Sequence, residues 1–74
     1  MTIHYDDAID ALYIALSGEI PHGAVELTDG INMDTTSDGR IAGIEILKAS
    51  TRFDLKTIFT YSLEVDSIGK ATFR

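Results

Sequence analysis

Residues 31–48 read Ile-Asn-Met-Asp-Thr-Thr-Ser-Asp-Gly-Arg-Ile-Ala-Gly-Ile-Glu-Ile-Leu-Lys, and this stretch decides the fold. Ile31 and Met33 alternate with Asn32 and Asp34, the period of a strand with one inward face. Ser37-Asp38-Gly39 interrupts the pattern, and Gly39 supplies the left-handed residue of a tight turn with a bulge. Residues 40–48 then resume as a strand. Two such strands across one short turn form an antiparallel hairpin, so the expected fold class is mainly β.

The same period extends upstream. Residues 2–6 alternate, with Ile3 and Tyr5 on one face and His4 on the other. Asp6-Asp7-Ala8 has turn chemistry, because an Asp side chain bonds its own backbone two residues on. Residues 11–16 are apolar on both faces, with Leu12, Ile14 and Leu16 on one and Ala11, Tyr13 and Ala15 on the other. A strand of that kind is expected to be central and covered twice. Ser17-Gly18 and Pro21-His22-Gly23 mark a loop, residues 24–28 a short strand, and Asp29-Gly30 a bulge or kink before the strand at 31–36.

Downstream, residues 55–63 fit a helix through Leu55, Ile58, Phe59 and Leu63. Residues 57–65 fit a strand through Phe59, Tyr61, Leu63 and Val65. The β-branched and aromatic run at 57–61 favours the strand. The expectation is a short helical turn near 50–56, then a strand, then a last short strand ending at Phe73. The whole chain, 1–74, reads as a single domain built on an antiparallel β-meander, α+β only if the short helix is counted.

Composition narrows the function. Cys is absent, so neither a disulfide nor a Cys-based zinc knuckle can form. The longest uncharged apolar run, Ala11 to Leu16, is far too short for a membrane span or a signal-peptide core, which reads as soluble and cytoplasmic. The net charge of −6 disfavours nucleic acid as a partner. Residues 1–38 carry eight acids and no base, whereas all six bases fall in residues 39–74. That asymmetry suits either simple solubility or a docking face for a basic partner protein. Ordering 74 residues costs on the order of 100 kcal/mol, which one small core only about cancels. A homo-oligomer, a dimer by preference, is therefore expected to supply the remainder.

Several of these motifs occur together. Tyr5-Asp6, Asp10-Ala11-Leu12-Tyr13-Ile14 and Leu16 are followed by Asp38-Gly39-Arg40, Gly43-Ile44-Glu45-Ile46-Leu47 and Ala49-Ser50. The combination resembles the small proteins of domain-of-unknown-function family 2283, over roughly residues 3–50. Asp7 stands where that family often has Pro, a change confined to a turn. The resemblance implies a compact β-rich domain with no established activity. Some members are encoded beside toxin-like small proteins, which implies an antitoxin-type role.

Few constellations carry chemistry. Counted from Asp34, a calcium loop would use Thr36, Asp38, Gly39 and Glu45, with Ile41 at the usual aliphatic position. Its flanks, however, alternate as strands. A strand would carry Glu45 roughly 20 Å along from the turn, away from Asp34 and Asp38. Glu45, between Ile44 and Ile46, could act as a general acid or base if buried with a raised pKa; the readings favoured over that are that its face of the sheet is wet or that Arg40, Lys48 or Arg52 pairs with it. His4 and Asp6 share a strand face, with His22 and Asp10 as possible metal companions. No Gly-x-Ser-x-Gly elbow and no Gly-rich phosphate loop occurs. No catalytic, cofactor-binding or metal residue is assigned from the sequence. The leading expectation is a small acidic, self-associating binding module. The alternative is a small enzyme or a metal- or ligand-binding protein in which Asp6, Asp10, Asp34 or Glu45 converge in a pocket.

Overall fold

The computed structural model describes residues 1–60 and 62–64. Five strands form one sheet: β1 (Thr2–Asp6), β2 (Ala11–Ala15), β3 (Gly23–Thr28), β4 (Ile31–Thr35) and β5 (Ile41–Leu47). Every neighbouring pair is antiparallel, in the order β1-β2-β5-β4-β3. The meander runs through β3, β4 and β5, and the β1–β2 hairpin joins it by pairing β2 with β5.

The turn between β4 and β5 forms as its residues dictate. Gly39 adopts φ 89°. The Thr36 N–H donates to the Arg40 carbonyl at 2.8 Å, and the Thr36 hydroxyl oxygen accepts from the Arg40 N–H at 3.0 Å. Thr36 is the one buried polar residue among those described, and a register shift separate from the Gly39 turn lies between Asp34 and Thr35.

Asp29-Gly30 does more than kink a strand. It is the tip of a hairpin between β3 and β4, with Gly30 at φ 81° and a register shift between Glu26 and Thr28. Asp-Gly between alternating segments is itself a strong hairpin signal. Arg52 holds this tip from outside, donating to the carbonyls of Asp29 and Leu47.

The expected strand over 57–65 is not formed in the residues described. A 3-10 turn at Ala49–Thr51 is followed by a 3-10 helix at Leu55–Thr60, so the helical turn expected near 50–56 is present as two pieces. Asp54 explains the difference. Its carboxylate accepts from the Lys56 N–H at 3.0 Å, and its carbonyl accepts from the Thr57 N–H and hydroxyl. That local capping overrides the strand propensity of the β-branched run. Tyr61, Val65 and the last short strand expected to end at Phe73 lie outside the described residues.

Register sorts the side chains into rows. One row crosses all five strands as Ile3, Ile14, Ile44, Met33 and Val25, and a second runs Tyr5, Leu12, Ile46 and Ile31. The opposite face carries His4, Tyr13, Glu45, Asn32 and Glu26. The double cover expected for β2 is therefore not what its two faces meet: Tyr13 looks onto a polar row. Among the described residues only Leu12 is both large and fully buried, at 1% exposure. Leu12→Ala is expected to lower unfolding stability by about 2–4 kcal/mol in a denaturant titration, since it empties the one well-filled site.

Candidate functional site

Three arrangements on the sheet bear on function: a clasp at Asp10, a crossing at Gly43, and the division of the sheet into an apolar and an acidic face.

Asp10 turns the chain between β1 and β2 in the left-handed region, at φ 52°. Its carboxylate accepts from the Tyr5 hydroxyl at 2.7 Å, the Ser50 N–H at 3.0 Å and the Ser50 hydroxyl at 2.6 Å. Its carbonyl accepts from the Ala49 N–H at 3.0 Å. These bonds favour the ionised carboxyl, and the Ser50 and Tyr5 hydroxyls hold Asp10 below the usual carboxylate range. The same bond to Asp10 pushes Tyr5 up to about 12. Asp10 is thus a strut between the β1–β2 turn and the turn after β5.

Gly43 sits under Tyr13. The Tyr13 ring crosses β5, and its hydroxyl donates to Asp34 on β4 at 3.0 Å. A Cβ at Gly43 would lie 2.1 Å from the Tyr13 hydroxyl oxygen and 2.8 Å from the Ile14 carbonyl oxygen. Burial first, then the Asp34 bond, raises the Tyr13 pKa, so the phenol stays a donor. A glycine inside a strand is a sign of such close approach, and this was the signal available in the sequence.

The candidate carboxylates do not meet in a pocket. Asp6 accepts from the Ala8 N–H in the first turn. Asp34 and Glu45 stand closer than the sequence reading expected, because the hairpin places both beside Tyr13. Both face the open polar side, where Asn32 Nδ2 donates to Glu45 at 3.2 Å. Arg40 instead pairs with Glu19 and Asp38, and Arg52 binds backbone carbonyls. Thr36 spends its hydroxyl on Asp38, and strands flank the turn, so the calcium-loop count has no helical frame. His4 lies opposite Tyr13 on the exposed polar face, and His22 precedes β3 across the sheet. Among the described residues no three His, Asp or Glu side chains gather as a metal-binding group.

The two faces differ sharply in charge. Four charged residues lie within the strands, all carboxylates: Asp6, Glu26, Asp34 and Glu45. All four lie on the face opposite the apolar rows. Among the described residues the apolar face is only part-covered. The 3-10 helix stands over β1 and β2, separated from them by an apolar groove of about 400 Å³ lined by Ile3, Tyr5, Leu12, Leu55, Ile58 and Phe59. Beyond it, Ile14, Ile44 and Met33 are half-buried, and Val25 is 50% exposed.

This is a small two-faced domain built on a five-stranded antiparallel sheet. The chain belongs to the family described as "Protein of unknown function (DUF2283)", whose model matches residues 2–50 of the 74. No curated protein and no solved structure matches it. Among the described residues no helix is long and apolar enough to cross a membrane.

Two outcomes test the site. Gly43→Ala is expected to cost about 1–3 kcal/mol in a denaturation curve, as overpacking does. Removing the ring as well, in Tyr13→Ala/Gly43→Ala, is expected to recover only part, because the Ile14 carbonyl is backbone. The Asp10 clasp contributes stability above the ordinary carboxylate pKa and loses it as pH falls through the depressed one. Its Tyr5 half is complete below the ordinary 10.0 and fades as pH rises towards about 12. Phenolate absorbance, compared with Tyr5→Phe, is expected to show Tyr5 titrating earlier in Asp10→Ala.

Proposed function

We propose that this protein is a small self-associating binding module: a dimer joined through the apolar face of its sheet, with the acidic face turned outward for a basic partner protein. The observation that carries the reading is the part-covered row Ile14–Ile44–Met33–Val25, an apolar stripe with no charge in it. Exposed apolar patches of this continuity mark interaction sites. The acidic half of the chain and the four carboxylates of the other face support the basic partner, an antitoxin-like role.

Val25 tests the first part, because its exposure makes it dispensable to the monomer fold. Wild-type protein is expected to run as a dimer by light scattering. Val25→Glu is expected to run as a monomer with an unchanged circular dichroism spectrum. A wild-type chain that stays monomeric as its concentration rises refutes the dimer. Co-purification with the products of adjoining genes tests the second part, and the expected complex is one that salt weakens.

A further inference from the structure

We infer that in the self-associated form the 3-10 helix Leu55–Thr60 of each copy lies across the uncovered half of the other copy's sheet, seating Phe59 against Val25 and Met33. The inference rests on the dimer reading above and specifies its geometry.

The helix is poorly provided for within its own chain. It runs six residues as 3-10, where three or four are usual. It leaves the apolar groove beneath it open. It also presents Phe59 at 85% exposure, with Leu63 beyond it at 83%. A phenylalanine in water forfeits most of its transfer free energy, about 2 kcal/mol. The same molecule offers the matching vacancy: among the described residues the helix covers β1 and β2 and leaves the row beyond open at Met33 and Val25.

A second copy is the occupant that these features fit. Each copy has both the knob and the open half-face, so one two-fold axis satisfies both at once. Charge permits it although the chain carries −6, since the strand carboxylates all lie on the far face. With a helix layer between them the two sheets lie further apart than the ~10 Å of direct stacking, which holds those outer faces well beyond the Debye length of ~8 Å. Leu16 at 43%, Val25 at 50%, Phe59 at 85% and Leu63 at 83% exposure leave roughly 500 Å² of side chain to bury per copy, at ~150–250 Å² for a large side chain. Two copies then come to the ~1,000 Å² threshold for a biological interface.

The contact cannot be made within one chain. Val25 and Ile3 end the row on opposite edges of the sheet, four strand spacings or ~19 Å apart, and Phe59 sits on the Ile3 side. The chain has no Cys, so introduced thiols report alone. The experiment mixes Val25→Cys with Phe59→Cys under mild oxidation and reads disulfide dimers on a non-reducing gel, with each variant alone as control. Cross-linking in the mixture well above either control is the expected result. Phe59→Ala is expected to raise the dimer dissociation constant about tenfold or more, as loss of an aromatic anchor does. A dimer by light scattering without the 25–59 cross-link overturns the helix exchange and leaves the dimer standing. A monomeric wild type overturns both.

Discussion

The seam between β2 and β5 holds the molecule together. The other strand pairs are hairpins closed by short turns, each formed from neighbouring residues. β2 and β5 come from distant parts of the chain, and without their ladder the sheet would be two fragments. The seam is fastened along its length. At one end the N–H groups of Leu16 and Ser17 donate to the Ala42 carbonyl. At the other, Asp10 grips Ala49 and Ser50. Between them, Tyr13 reaches over Gly43 to Asp34 and so ties β2 to the strand beyond its neighbour. The family motifs therefore read as fasteners: Tyr5, Asp10, Tyr13, Gly43 and Ser50 all serve this one join.

That reading removes several residues from chemistry. Asp10 has both oxygens engaged, and its depressed pKa follows from a structural duty. Tyr13 beside Asp34 and Glu45 resembles a catalytic grouping by composition. Its raised pKa keeps the phenol protonated, where a base or nucleophile would need the opposite shift.

The five strands were legible because alternation and Gly-containing turns act locally, and local rules suffice for hairpins. The join of β2 to β5 was not legible. Nothing in Leu12-Tyr13-Ile14 names Ile46-Glu45-Ile44 as its partner, since many strands would satisfy the same pattern. The closeness of Asp34 and Glu45 was missed for a related reason. Measured along the strand they are far apart, yet the turn folds that distance away. At 55–60 the propensity of Thr57, Ile58 and Phe59 pointed to a strand, but one Asp54 side chain settled the backbone the other way. The acidic half of the sequence hinted at an acidic surface. Only the register showed that the four strand carboxylates, Asp6, Glu26, Asp34 and Glu45, share one side of the sheet.

The same seam governs how quickly the chain can fold. It pairs residue 15 with residue 43 and residue 11 with residue 47, so both strands must wait for a long intervening stretch to close. Hairpins form in microseconds, whereas such closure carries an entropy penalty before any contact repays it. While the two fragments search for each other, the inner edges of β2 and β5 stand unpaired on every newly made chain. In a crowded solution those edges compete with one another between molecules, and the route to exchanged strands is open only during that interval.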